Sequence, residues 1–315
     1  MIKNRNLLAM ATVTLTFGDR AENHKGMQVL GTSAADGFSL EDLRSAKAYF
    51  EKKGVTCEIH HLNKLLSGNA AEDAENAYLF VARKGVKALV DEPSKLKEEQ
   101  KALKKDTKAF MYGRVVNKKA RHNLCFAEEG QEANFDAGKG TVVAFKEVPV
   151  LSALREKLPE ALGDKAKKLL CEGNYYYDVK QCFIGYHGDG ERKRVVGVRL
   201  GSSFPLHYQW YLESNAVGAR LELMLDDGDL YVMSEKSVGT DWKLKKVHTL
   251  RHAAGFASTL KLGPITQRKE TLMETSTEAK EGGKMEDQEV RGVKRSVEIS
   301  EEERKQRPDK KFKAE

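Results

Sequence analysis

The second half of the chain is a series of short strand-like segments, and this series restricts the fold more than any other feature of the sequence. The segments are rich in β-branched or aromatic residues and have turn residues between them. They cover residues 175–177, 182–186, 193–200, 206–212, 220–225, 229–233 and 247–252. Short segments at this spacing predict a barrel or sandwich of antiparallel strands.

Residues 1–90 have a different pattern, in which strand-like and helical segments alternate. Residues 11–17 alternate with β-branched side chains, and Ser39 precedes a helical stretch that Gly54 ends. Further strand-like segments follow at 55–62 and 77–82. This alternation predicts a small α/β domain.

The expected organisation is an α+β protein with two folded units and a tail. Residues 91–107 carry Lys and Glu at helical spacing and predict an exposed linker helix between the α/β domain and a strand-rich domain at 108–265. Residues 266–315 are mostly Glu, Lys, Ser, Thr and Gly. A segment of this composition buries too little apolar surface to fold, so we expect a disordered tail.

Composition excludes several classes of protein. No apolar run approaches the ~20 residues that span a bilayer, and the N-terminus leads directly into the first predicted strand. We therefore expect an intracellular protein without a membrane partner. The four cysteines fall at spacings that are typical of neither a zinc site nor a disulfide framework, which indicates reduced thiols.

The chain is basic, with a net charge of +7. This charge is compatible with a nucleic-acid partner and equally with a merely basic surface. A basic cluster at 305–313 resembles a nuclear import signal, so the sequence leaves a nuclear and a cytoplasmic location both open.

His187 and Asp189 are the residues that most suggest chemistry. They are separated by Gly188 on an extended segment, and side chains two apart on a strand point to the same face. One imidazole and one carboxylate supply two of the three ligands of a ferrous facial triad. The alternative is a structural histidine followed by a turn carboxylate before Gly190.

Four blocks of residues 106–262 together resemble the AlkB-like branch of the 2-oxoglutarate/Fe(II) dioxygenases. The blocks are His187-Gly188-Asp189, the Val-rich segment ending at Gly201, the segment 228–234 and Thr249-Leu250-Arg251-His252-Ala253. The resemblance implies a double-stranded β-helix, or jelly roll, over 108–265. It further implies that His187 and Asp189 bind Fe(II) and that Arg251 pairs with a carboxylate of 2-oxoglutarate.

The sequence departs from this family's pattern at two positions. Where the family has its third iron ligand, a histidine, this chain has Asp241, and His248 reaches that place only if the register slips by several residues. Where the family has its first arginine, this chain has Lys245, which can pair with a carboxylate but cannot form a bidentate fork. The predicted site therefore comprises metal ligands His187, Asp189 and Asp241, with Arg251 and Lys245 binding the cosubstrate.

The activity that this resemblance implies is hydroxylation or oxidative demethylation of a modified nucleic acid, dependent on Fe(II) and 2-oxoglutarate. A protein hydroxylase or demethylase with the same cofactors is a second possibility. A third is a binding module that kept the β-helix but lost turnover, because the family's third histidine is missing and Lys245 stands in place of its first arginine. The sequence does not separate these three.

Overall fold

The computed structural model describes residues 11–262, which form sixteen strands, six α-helices and five short 3-10 helices. The strands are β1 Thr12–Gly18, β2 Arg20–Glu22, β3 Val29–Gly31, β4 Cys57–His61, β5 Tyr78–Ala82, β6 Lys108–Met111, β7 Arg114–Asn117, β8 His122–Ala127, β9 Val142–Ala144, β10 Leu170–Tyr176, β11 Ile184–His187, β12 Val195–Gly201, β13 Phe204–Leu212, β14 Asn215–Leu225, β15 Leu230–Met233 and β16 Thr249–Ala254. The helices are α1 Leu40–Lys52, α2 Ala70–Asp73, α3 Pro93–Ala102, α4 Pro149–Leu162, α5 Glu235–Val238 and α6 Ala257–Leu260. The protein is thus a mixed α+β structure in which strands predominate.

Two sheets form the body of the protein. The larger has eight strands in the order β4-β5-β15-β12-β1-β10-β8-β9, all antiparallel except the last pair. The smaller has four strands in the order β11-β16-β13-β14. Two short hairpins, β2-β3 and β6-β7, lie outside both sheets.

The large sheet joins the two regions that the sequence analysis separates. Strand β1 lies between β12 and β10, and β5 pairs with β15. Strands of residues 1–90 are therefore hydrogen-bonded to strands of residues 108–265, and the predicted boundary at 91–107 does not divide the sheet. An alternating pattern reveals a strand but not its partners, which is why the sequence could not show this pairing.

The predicted linker helix is present as α3, but it is packed rather than fully exposed. Leu96 and Gln100 are completely buried. The hydroxyl of Tyr175 donates a hydrogen bond of 2.7 Å to the Gln100 side chain, which ties the helix to strand β10.

The two faces of the large sheet have different surroundings. Residues such as Leu15, Phe17, Val196 and Val198 point to one face and pack against α1, α3 and α4 in the largest apolar core. The alternate residues of the same strands point towards the small sheet. A second apolar core, which includes Trp210, fills part of the space between the sheets. The remainder of that space is a cavity.

None of the helices within residues 11–262 has the length and apolar character needed to cross a membrane. The predicted tail at 266–315 and the basic cluster at 305–313 lie outside the described residues.

Candidate metal centre

His187, Asp189 and His252 meet at the cavity between the two sheets. Nε2 of His187 lies 3.3 Å from Oδ1 of Asp189, and Nε2 of His252 lies 3.5 Å from the same oxygen. One potential ligand atom from each residue falls within 4.8 Å of the other two. Two imidazoles and one carboxylate at this separation can hold a metal ion.

The pairing of β11 with β16 brings the two histidines together. His187 ends β11 and lies directly opposite His252 in the antiparallel register, with the ring centroids 4.4 Å apart. The pairing register shifts between Ile184 and His187, so the end of β11 departs from regular strand geometry next to the cluster.

The orientation of the His187 ring suits a metal ligand. Nδ1 lies 2.8 Å from the carbonyl oxygen of Gly185. A proton on Nδ1 would donate to this carbonyl and leave the Nε2 lone pair directed at the cluster, which is the arrangement commonly found for histidines that bind metals.

His252 is almost completely buried, with 6% of its surface exposed. Burial, and after it the neighbouring His187, lowers the pKa of His252, which favours the neutral imidazole that binds metals. Its Nδ1 is buried without a hydrogen-bond partner among the described residues.

Asp189 is held in the ionised state by Arg192. Burial opposes ionisation, but the charge of Arg192 outweighs it and holds the pKa of Asp189 well below its usual range. Arg192 Nε lies 3.4 Å from Asp189 Oδ2, and its Nη2 lies 2.6 Å from Glu172 and 2.9 Å from Glu191. Three carboxylates thus surround one guanidinium, giving these four side chains a formal charge of −2 that a divalent cation would balance.

Gly188 allows the chain to pass close to the turn after α5. A Cβ atom at this position would lie 2.0 Å from the carbonyl oxygen of Gly239 and 2.7 Å from Cβ of Trp242. Only glycine fits here without displacing that backbone.

The cavity has a volume of about 390 Å³ and is lined by both sheets. The large sheet contributes polar residues of β1, β10 and β12, and the small sheet contributes the end of β11 and residues of β16. Tyr231 extends into the cavity because Gly197, opposite it on β12, leaves room for its ring. Further residues that line the cavity are Thr14, His24, Lys25, Arg121, Glu172, Asn174, Tyr176, Tyr186, Arg199, Leu206, Met233, Trp242 and Ala254.

The structure does not bring Asp241 into the cluster. Its Oδ2 accepts a hydrogen bond of 2.6 Å from Nζ of Lys236, and the residue does not line the cavity. His248, the alternative ligand, is also absent from the cavity lining. The third residue of the cluster is His252.

Arg251 and Lys245 are likewise outside the cavity. The Arg251 guanidinium carbon lies 3.9 Å from the centroid of the Tyr211 ring and 5.3 Å from that of Trp242. Lys245 is exposed in the segment before β16. Arg251 and His252 are adjacent on one strand, so their side chains point to opposite faces, and the cavity takes the histidine.

Of the three consecutive tyrosines that form the strand-like segment 175–177, only Tyr176 lines the cavity. Tyr175 points to the helical layer, and Tyr177 donates a hydrogen bond to the carbonyl oxygen of Lys119. His252 could have been found from the sequence as a histidine on the last predicted strand. Arg199 and Arg192 gave no signal there, since nothing local shows that they are buried.

Comparison with known proteins identifies a viral relative. The chain is 49% identical over 244 residues to an uncharacterized protein of Acanthamoeba polyphaga mimivirus, and the match covers 78% of this chain and 95% of the relative. No family model matches the chain. The protein belongs to the same family as this mimivirus protein.

Proposed function

We propose that the protein is an AlkB-like dioxygenase that uses Fe(II) and 2-oxoglutarate and acts on a modified nucleic acid. The observation that carries this proposal is the convergence of His187, Asp189 and His252 at a cavity between two sheets. Two histidines and one carboxylate are the donor set of ferrous oxygenases that keep coordination positions open for other ligands.

The fold supports the same proposal. Eight antiparallel strands, β1 and β10 to β16, form two facing groups of four, in the orders β15-β12-β1-β10 and β11-β16-β13-β14. We propose that these eight strands are a double-stranded β-helix, to which β4, β5, β8 and β9 add the edges of the large sheet. In this proposal the N-terminal strand β1 is a central member of the β-helix.

The electrostatics of the cluster also fit a ferrous ion. The carboxylates of Asp189, Glu172 and Glu191 exceed the charge of Arg192 by two. The neutral His252 and the ionised Asp189 are both in the state that binds a cation without first losing a proton.

Iron bound at this cluster would supply the activation of dioxygen, coupled to oxidation of 2-oxoglutarate. For an N-methyl substrate the balanced reaction converts the methylated amine, O2 and 2-oxoglutarate into the free amine, formaldehyde, succinate and CO2. One oxygen atom ends in succinate and the other in formaldehyde.

The residues of this chain would orient the reactants and limit access of water. Gly185 fixes the His187 ring, and Arg192 holds the Asp189 carboxylate. Leu206, Met233 and Ala254 give the cavity an apolar part. Such a surface favours a methyl group over water near the cluster.

The rim of the cavity favours a nucleic-acid substrate over a neutral one. Lys25 is exposed, and His24 and Arg121 are partly exposed. The cationic side chains of Lys25 and Arg121 are suited to phosphates, while Tyr186 and Trp242 offer aromatic surfaces to a base. A base within a duplex would have to be flipped out to enter the cavity.

The test is turnover by the purified protein with Fe(II), ascorbate and 2-oxoglutarate. We expect succinate formation, detected by NMR, and formaldehyde release from methylated single-stranded oligonucleotides. His252→Ala should abolish both, and Asp241→Asn should retain both. Absence of succinate with every substrate would contradict the dioxygenase proposal, and formaldehyde from methyl-lysine peptides but not from oligonucleotides would contradict the nucleic-acid part.

A further inference from the structure

A buried arginine of the large sheet, Arg199, forms no ion pair with a carboxylate of residues 11–262. Only 1% of its surface is exposed, although its side chain lines the cavity. Its Nη1 donates to the hydroxyl of Thr14, and its Nε is buried without a hydrogen-bond partner among residues 11–262. A guanidinium keeps its charge in proteins, so the cavity contains a buried positive charge with an unused donor.

The other two buried arginines of the described chain differ in this respect. Arg192 has carboxylates of Glu172, Glu191 and Asp189 within 4.0 Å, and Arg155 contacts Glu128 at 2.7 Å. No carboxylate of residues 11–262 forms such an ion pair with Arg199. Buried charges in proteins are normally paired, so the exception suggests that a ligand supplies the partner.

The surroundings of Arg199 form a polar row across three strands. Thr14 on β1 is the direct neighbour of Arg199 on β12 and of Asn174 on β10. All three side chains line the cavity. The rings of Phe204 and Tyr176 lie 5.2 Å and 6.0 Å from the guanidinium carbon and restrict where it can move. Hydrogen-bond donors that lie on a rigid sheet, on side chains whose movement is restricted, are preorganised to bind an anion in one position.

We propose that Arg199, together with the Thr14 hydroxyl, binds the carboxylate of a short dicarboxylic acid whose opposite end reaches the metal cluster. This inference rests on the proposed function, and within it the acid is 2-oxoglutarate. Arg199 and the cluster line the same cavity, on its large-sheet and small-sheet sides respectively. The carboxylate supplies the charge that the arginine lacks and accepts hydrogen bonds from a guanidinium, which is a strong, directional pairing.

This assignment replaces the pair suggested by the sequence. Arg251 stacks on Tyr211 outside the cavity, and Lys245 is exposed. Arg199 takes their proposed role on a different strand, β12, within reach of a ligand enclosed between the sheets.

The experiment compares two five-carbon acids by isothermal titration without turnover. Mn(II) replaces iron and oxygen is excluded, so binding is read independently of activity. The acids are 2-oxoglutarate and 2-oxopentanoate, which has a methyl group in place of the distal carboxylate. We expect the wild-type protein to prefer 2-oxoglutarate by about 10- to 100-fold. Arg199→Met should reduce this preference to less than about twofold while leaving Mn(II) affinity unchanged.

Matched control variants distinguish loss of the carboxylate site from a general folding defect. Arg155→Met removes another buried arginine, one that does not line the cavity, and should keep the preference for 2-oxoglutarate. Thr14→Val should reduce it by about 3- to 10-fold. Thr12 is on the same strand and is also buried, but it does not line the cavity, so Thr12→Val should leave the preference unchanged. If Arg199→Met does not fold, the comparison of Thr14→Val with Thr12→Val tests whether this polar row binds the distal carboxylate.

The outcomes separate this inference from the proposed function. A wild-type protein that binds Mn(II) but shows no preference between the acids, or variants of Arg199 and Thr14 that keep it, would overturn the inference. Failure of the wild-type protein to bind Mn(II) would contradict the proposed metal centre instead. Glutarate binding to the metal-free protein then tests the arginine alone, and equal binding by wild type and Arg199→Met, or none by either, overturns it.

Discussion

The two arginines of the cavity have opposite electrostatic surroundings. Arg192 is outnumbered by the carboxylates of Asp189, Glu172 and Glu191, whereas Arg199 forms no ion pair with any carboxylate in the described part of the chain. One region therefore needs a cation and the other needs an anion. A buried charge that is left unbalanced costs stability, so two opposite imbalances in one cavity indicate a site for ligands rather than a structural core.

The largest expected effect is the difference in stability between two matched substitutions. Arg192→Met leaves three carboxylates without their cation and should lower the free energy of unfolding by about 3–5 kcal/mol. Arg199→Met removes an unpaired buried charge, so it should change that free energy by less than about 1 kcal/mol or increase it. Urea denaturation of the ligand-free proteins measures both values. Equal losses in the two variants would contradict the comparison.

The second largest effect is expected on metal affinity at His252, which was not predicted from the sequence as a ligand. His252→Ala should weaken Mn(II) binding by more than about 100-fold, because a direct ligand contributes more than the outer residues that tune a metal site. His248→Ala, four residues earlier and away from the cavity, should leave the affinity unchanged. Titration followed by electron paramagnetic resonance gives both affinities. Loss of binding in His248→Ala alone would favour a shifted register.

A smaller effect is expected from backbone geometry next to the metal cluster. Gly188→Ala places a methyl group against the Gly239 carbonyl and should displace His187 and Asp189, with about a 10-fold loss of Mn(II) affinity. Gly185→Ala, three residues earlier in strand β11, meets no atom within 4 Å and is the control. Similar affinities for the two variants would show that the close approach does not shape the site.

The smallest effect is expected at Arg251. Its guanidinium packs on Tyr211 and Trp242 rather than facing the cavity. Arg251→Met should therefore change the affinity for 2-oxoglutarate by less than about twofold, in contrast to Arg199→Met. Calorimetry under the conditions used for Arg199 makes the comparison direct. A 10-fold or greater loss would return the anchoring role to Arg251.

The sequence was informative about local structure and less so about long-range pairing. The strand-like segments from Tyr175 to His252 correspond to strands β10 to β16, and the helix predicted after Ser39 is α1 with Ser39 as its N-cap. The insertion of β1 between β12 and β10 could not be predicted, because alternation specifies a buried face and not a neighbour.

The candidate site shows the same limit at the level of single residues. His187 and Asp189 lie two apart on one chain, so their common face follows from strand geometry alone. Whether Arg251 or His252 lines the cavity depends on which face of β16 meets it. A shift of one residue in the strand register would exchange the two side chains. The isolation of Arg199 depends on partners far away in the chain, which no local pattern reveals.

The central claim is that His187, Asp189 and His252 bind one metal ion in the cavity. Anomalous diffraction from crystals grown with Mn(II) and 2-oxoglutarate without oxygen tests it most directly. We predict a single strong peak about 2.0–2.3 Å from a nitrogen of each histidine and an oxygen of Asp189. A peak at Asp241, or no peak between these three residues at saturating metal, would contradict it.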